Sequence, residues 1–208
     1  MNENSAFNAL NRENVEYLLN RYNRVNRWVV ADMIRRSAYH HPDKTALIFQ
    51  DQALSYTGLE KACNQTANAL LDLGVQKYDR VAILAHNTLH HVLTWLGCCK
   101  AGAVYLAINY LLRGPDIQYC INHSESKVFI VEDALYDLAK DVIAEMPTVK
   151  TLIWSNQGLG QGPPDERFLE FDPWYGNYPD TEPDTLLRIE DPCQMTYTSG
   201  TESRPKGV

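Results

Sequence analysis

The first 27 residues read as a polar extension. Within them Arg21, Arg24 and Arg27, spaced by three, fall on one side of a helix and read as a solvated face. Regular patterning begins at Trp28. Residues 28–39 predict a helix with Trp28, Met33 and Ile34 apolar, closed by His41-Pro42-Asp43. Ala46–Phe49 and Leu54–Tyr56 read as two strands around a turn at Asp51-Gln52, a hairpin pattern. Thr57-Gly58-Leu59-Glu60 has the spacing of a capping box, so Thr57 is the expected N-cap and Glu60 is expected to reach back to it. Leu59, Cys63, Thr66, Leu70 and Leu73 then recur at helical spacing until Gly74 closes the helix.

Beyond residue 80 the pattern alternates. Strands are expected at Arg80–Ala85, Ala103–Ile108, Lys127–Val131 and Lys150–Trp154. Between them lie helical patterns at Thr88–Ala101, from Pro115 to Asn122, and at Ala134–Glu145. Alternation with short connections implies βαβ units, hence an α/β fold with a doubly wound, mostly parallel sheet flanked by helices. In such sheets ligands bind beyond the carboxyl ends of the strands. Four segments follow: a polar N-terminal extension at 1–27, an α/β subdomain at 28–155, a connector at 156–191, and a strand with a loop at 192–208.

Charge and composition narrow the function classes. The 208 residues carry a formal net charge of −7, from 19 basic and 26 acidic side chains, which argues against general nucleic-acid binding. The connector alone holds nine acidic and two basic residues with five prolines. The whole excess therefore sits there, and the connector reads as a solvated surface loop. No apolar run approaches the roughly 18 residues a bilayer span needs. The N-terminus lacks the basic-then-apolar order of a signal peptide, so a cytoplasmic location is expected. Five cysteines, with no CxxC spacing, make a poor disulfide framework.

The informative chemistry is at the end of the chain. Cys193–Tyr197 reads as a strand, and Thr198, Ser199, Gly200, Thr201, Ser203, Lys206 and Gly207 follow it directly. Glycines let backbone N–H groups converge on an anion, hydroxyls donate to phosphate oxygens, and a lysine adds positive charge. The physical reading is a polyphosphate cradle. It is not a Walker A loop, because GxxxxGK[ST] is absent. Two other readings stay open on the residues alone: a plain Ser/Thr/Gly/Pro loop, and the SxxK of Ser203-Arg-Pro-Lys206, which lacks the SDN and KTG partners of serine acylases.

TYTSGTESRPKGV at 196–208 resembles the phosphate-loop motif of the adenylate-forming superfamily, written YTSGTTGxPKGV, which includes acyl-CoA synthetases, luciferases and adenylation domains. Three further segments match in order. His40–Ala46 resembles the family's YPDKxAL entry, Leu54–Val75 its LTYxEL…LxxxGV segment, and Leu96–Ser126 its KAGAVxxPIN segment. The resemblance covers residues 28–208 and lies nearest the fatty acyl-CoA synthetases. It implies a ligase in which a carboxylate attacks the α-phosphate of ATP, pyrophosphate leaves, and coenzyme A displaces AMP from the acyl-adenylate. Carried over, Thr198, Ser199, Gly200, Thr201 and Lys206 would hold the ATP phosphates, and Thr201 would also meet Mg²⁺. Glu202 and Ser203 depart from the pattern, standing where the family has threonine and glycine. A carboxylate beside triphosphate is repulsive unless it faces Mg²⁺, Arg204 or solvent.

The family's YGxTE segment, ribose-binding aspartate, hinge and catalytic lysine have no counterpart here. The resemblance thus implies an N-terminal part with no catalytic residue of its own, inactive alone, with a carboxylic acid, nearest a fatty acid, as substrate. Apolar surface awaiting the remaining subdomain makes a homodimer an expectation. The alternative is a non-catalytic truncated α/β module that binds a nucleotide weakly or a protein partner. Elsewhere, His86 with His90 or His91 reads as partly exposed helix-face histidines without a third metal ligand. Cys98, Cys99, Trp95 and Tyr105 read as packing.

Overall fold

A computed structural model describes residue 24, residues 27–198 and residues 206–208. Its elements are α1 (Val30–His40), β1 (Thr45–Phe49), β2 (Gln52–Ser55), α2 (Tyr56–Asp72), β3 (Arg80–Leu84), α3 (Leu89–Ala101), β4 (Val104–Ala107) and α4 (Gly114–Ser124). They continue with β5 (Val128–Glu132), two 3₁₀ turns (Asp133–Leu138 and Ile143–Glu145), β6 (Thr151–Ser155), β7 (Phe168–Glu170), α5 (Phe171–Gly176), β8 (Gln194–Met195), β9 (Tyr197–Thr198) and β10 (Lys206–Gly207).

Six strands form one sheet in the order β7-β6-β5-β3-β4-β8. Every neighbouring pair is parallel, with Val81 facing Tyr105 on one side and Val128 on the other. The chain steps from β3 to β4 on one side, then returns to lay β5, β6 and β7 on the other. This is the doubly wound α/β architecture that the alternation predicts.

The period of two along each strand separates two cores. Val81, Ile83, Val128, Ile130 and Ile153 pack toward α2 and α3. Ala82, Leu84, Leu106, Phe129, Val131 and Trp154 pack toward α4 and the 3₁₀ turns. Gly97 sets how closely α2 and α3 approach, because a Cβ there would lie 2.7 Å from Thr66 Cγ2. Among the described residues no helix is long and apolar enough to cross a membrane.

Four local expectations change. The cap of α2 is Ser55, whose hydroxyl accepts from the Gly58 amide at 3.1 Å, and Thr57 lies inside the helix. Glu60 does not reach back. It pairs with Lys100 of α3 at 2.9 Å, and an ammonium only 1 % exposed needs that carboxylate more than a helix end does. The 134–145 stretch is wound as 3₁₀ turns instead of one α-helix. Its apolar spacing still buries Leu135, Ala139, Ile143 and Met146, but its start is pinned because the Asp133 carboxylate binds backbone amides of the 158–161 loop. Tertiary clamping here overrides helix propensity.

The fourth change concerns the connector. It supplies β7 to the sheet edge and buries Phe168, Phe171, Trp174 and Leu187. Asn64, Gln65 and Asn68 of α2 donate to the carbonyls of Asp180, Gly176, Tyr178, Pro179 and Thr181 at 2.8–3.1 Å, holding the segment against the helix. Several of its acidic residues are engaged as well. Arg27, 5 % exposed, binds Asp32 and Glu182, and Arg24 binds Asp184. Arg24 and Arg27 are thus ion-pair partners of the connector instead of a solvated face, whereas Arg21 lies outside the described residues.

Candidate functional site

The carboxyl edge of the sheet divides into two halves. Over β3, β5 and β6, polar side chains from the strand ends bind one another. The Glu132 carboxylate, at the end of β5 and 1 % exposed, accepts from His86 Nδ1 at 3.0 Å. Asp133 accepts the amides of Ala134, Gly158, Leu159 and Gln161 at 2.8–2.9 Å. His90, fully buried, joins Ser155 Oγ through Nδ1 at 2.9 Å and Asp172 through Nε2 at 3.0 Å, with its ring stacked on Phe171. The hydrogen bond from His90 holds the Asp172 carboxyl below the usual carboxylate range.

A serine, a histidine and an aspartate in contact suggest a nucleophile, but Ser155 is 0 % exposed. No substrate reaches its Oγ, so the trio ties the first turn of α3 to β6 and α5. His90 is therefore a core histidine, not an exposed helix-face one. No sequence signal pairs residues 65 and 82 positions apart, the separations of His90 from Ser155 and Asp172. His91 binds the His86 carbonyl and the Tyr105 hydroxyl. Cys98 and Cys99 are buried packing residues, as read from the sequence, and burial pushes the Cys99 thiol up to about 12. Among the described residues no group of three or more potential ligands could hold a metal ion.

Over β4 and β8 the edge is built differently. After Met195 the chain leaves β8 and forms β9, which pairs antiparallel with β10. Thr198 stands opposite Lys206, and Tyr197 opposite Gly207. The Thr196 and Val208 amides and carbonyls exchange hydrogen bonds at 2.9 Å, closing the hairpin. Directly opposite residues share a face, so the Thr198 hydroxyl and the Lys206 ammonium point to one side, while Tyr197 and Gly207 occupy the other. A Cβ at Gly207 would meet the Met195 methyl, the end of a flexible side chain that would have to move aside. Thr198 and Lys206 are exposed, and among the described residues neither side chain has a hydrogen-bond partner.

Of the predicted phosphate ligands, the structure brings Thr198 and Lys206 together at the carboxyl edge. Ser199, Gly200, Thr201, Glu202 and Ser203 lie outside the described residues. The described part of the hairpin presents a hydroxyl and an ammonium with no carboxylate, a donor set suited to a polyphosphate anion. A cleft lined by Ala107, Ile108, Asn109, Leu112, Cys120 and Tyr197 runs beside Thr198. Sequence reasoning missed His123 of α4, whose Nδ1 meets the Tyr197 hydroxyl at 2.7 Å. Its i,i+4 relation to Tyr119 is visible in the sequence, but the partner 74 positions away is not.

A family model described as AMP-binding enzyme matches residues 34–208. A medium/long-chain-fatty-acid–CoA/3-oxocholest-4-en-26-oate–CoA ligase of Mycobacterium marinum is 30% identical over 185 residues, covering 86% of this chain and 33% of that protein. A crotonobetaine/carnitine–CoA ligase of Citrobacter koseri is 30% identical over 176 residues, covering 80% and 33%. Among solved structures, the anthranilate CoA ligase AuaEII in complex with anthranoyl-AMP superposes with a TM-score of 0.81 at 28% identity, over 88% of this chain and 34% of that one. The N-terminal domain of FACL13 from Mycobacterium tuberculosis superposes with a TM-score of 0.75 at 27% identity, over 86% and 43%. The chain spans about a third of the length of the curated relatives it matches. With its sheet order, its hairpin and a family match over residues 34–208, the chain belongs to the AMP-binding enzymes.

Proposed function

We propose that this chain supplies the triphosphate-binding part of an ATP-dependent acyl-CoA ligase acting on a carboxylic acid, nearest a fatty acid. The observation that carries the reading is the hairpin that sets Thr198 opposite Lys206 at the carboxyl edge of a parallel sheet. The names of the relatives support the CoA ligase class, and the M. marinum relative's name supports the fatty acid.

In the reaction a carboxylate oxygen attacks the α-phosphorus, and the bond to the bridging oxygen breaks. Negative charge then gathers on the departing pyrophosphate, after which the coenzyme A thiol displaces AMP to give the thioester. A hydroxyl and an ammonium already placed at the pyrophosphate stabilise that developing charge without reorganising. Thr198 would donate one hydrogen bond and Lys206 a point charge. Ser199, Gly200 and Thr201 would complete the proposed cradle, and Thr201 would help hold Mg²⁺, which would neutralise charge on the same phosphate oxygens.

Calorimetric titration of the 208-residue chain tests this. MgATP and pyrophosphate are expected to bind and to compete, with AMP far weaker because it lacks the β- and γ-phosphates. Absence of binding by both at millimolar concentration overturns the reading.

A further inference from the structure

Strand β9 is two residues long, yet it carries the first proposed phosphate ligand. Two paired residues on a neighbouring two-residue strand do not fix a side chain's direction well. What fixes it lies on the opposite face, at Tyr197.

The Tyr197 ring packs edge-on against His123 and Tyr119 of α4, with centroids 5.8 and 6.3 Å apart. Its hydroxyl donates to the Cys120 carbonyl at 3.2 Å and lies 2.7 Å from His123 Nδ1. A phenol has one proton. The imidazole tautomer sets whether the phenol donates to His123 Nδ1 or accepts from it, and in either case the 2.7 Å contact is a hydrogen bond at the phenol oxygen. Burial pushes the Tyr197 phenol up to about 12, so it stays neutral and keeps both roles at ordinary pH. The hydroxyl is thus held at two points on one helix turn. Tyr197 and Thr198 project to opposite sides of the strand, so rotation of the strand about its axis moves them together. Anchoring the phenol anchors the direction of the Thr198 hydroxyl, and through the pairing of Thr198 with Lys206 it anchors the lysine's strand as well.

We propose that His123 is a positioning residue for the phosphate-binding hairpin, acting through the hydrogen bond between its Nδ1 and the Tyr197 hydroxyl. The proposal rests on the polyphosphate reading of Thr198 and Lys206, and it adds a residue outside the loop motif. His123 touches no phosphate in it.

Three variants separate the hydrogen bond from simple ring packing. His123→Asn keeps a hydrogen-bonding group at the position of Nδ1 but loses the ring. His123→Phe keeps a ring against Tyr119 but has no hydrogen-bonding group, and His123→Ala loses both. Two readouts are taken on the full chain: MgATP affinity by calorimetry, and amide hydrogen exchange at Thr196 and Val208, whose mutual hydrogen bonds close the hairpin. His123→Ala and His123→Phe are expected to weaken MgATP about three- to tenfold, the worth of one neutral hydrogen bond, and to speed exchange at both amides. His123→Asn is expected to restore both readouts toward wild type. If His123→Phe behaves as wild type and His123→Asn as His123→Ala, ring packing is the cause and the proposal is overturned. Unchanged exchange in all three variants overturns it too. A wild-type chain that binds no MgATP overturns the polyphosphate reading instead, while the exchange data still decide the coupling from His123 to the hairpin.

Discussion

The two halves of the sheet's carboxyl edge both carry polar side chains on strand ends, and they use them differently. Over β3, β5 and β6, Glu132, Asp133, His90 and Ser155 are at most 6 % exposed and each has a protein partner at 2.8–3.0 Å. Over β4 and β8, Thr198 and Lys206 are exposed, with no side-chain partner among the described residues. A buried polar group must be satisfied by its own fold, and once satisfied it has little left for a ligand. An exposed hydroxyl beside an exposed ammonium keeps its donors for a guest. Both halves lie where a parallel sheet binds ligands, and among the described residues the second is the one with free donors, as the proposed anion site requires.

The largest effect that would test this contrast is on stability, in the first half. Asp133→Ala removes the acceptor of four backbone amides, three of them from the 158–161 loop. Leaving buried donors unpaired after losing a charged acceptor costs about 3 kcal/mol. Urea unfolding is expected to show that loss, with the MgATP affinity of the folded fraction unchanged. A variant that unfolds like wild type would mean that the first half is not a structural clamp.

The second half is expected to respond in reverse. Lys206→Ala should weaken MgATP and pyrophosphate roughly tenfold or more, since hydrogen bonds to charged groups are worth about 1.5–3 kcal/mol. Its unfolding free energy should stay within about 0.5 kcal/mol of wild type, as for most exposed substitutions. Equal affinity in Lys206→Ala and wild type would remove the lysine from the site. Salt dependence sharpens the result: an exposed ammonium acting on phosphate weakens as ionic strength rises, so the gap between the two proteins should narrow in high salt.

How much of this was legible in the sequence follows from the range of each interaction. The strands and the parallel sheet are written in local alternation, and Val81 through Leu84 show it, since all four are buried and consecutive side chains face different cores. The helix expected over Thr88–Ala101 is likewise set by near neighbours, and the structure starts it one residue later, with Thr88 as its N-cap. Thr198 and Lys206 were found through a motif whose ligands lie within nine positions of one another. What escaped depends on distant partners. Glu60 has capping-box spacing, yet a buried ammonium 40 positions away claims it. The connector's prolines and acids suggested a solvated loop, but Asn64, Gln65 and Asn68 bind its carbonyls across more than a hundred positions. His90 and its partners fail the same way. A local pattern reports which face a residue shows and not which residue meets it there.

The smallest expected effect lies at the rim of the first half, where the contrast is least sharp. Asp172 is half-exposed and accepts from the fully buried His90, and that hydrogen bond lowers its carboxyl below the ordinary range. A carboxyl whose folded value lies below its unfolded one, about 3.9, stabilises the fold above the unfolded value. That contribution is lost as pH falls through the folded value. Asp172→Asn keeps an oxygen that can accept from Nε2 but removes the charge. The variant should therefore be less stable than wild type at pH 6 by under about 1 kcal/mol, the range of partly exposed ion pairs. The difference should shrink steadily once the pH drops below about 4. Paired urea titrations at several pH values measure it. A difference that stays constant down to low pH would show that the charge contributes nothing and that shape alone holds α5 against His90. MgATP affinity should not change at any of these pH values, because Asp172 belongs to the half whose polar groups are spent on the fold.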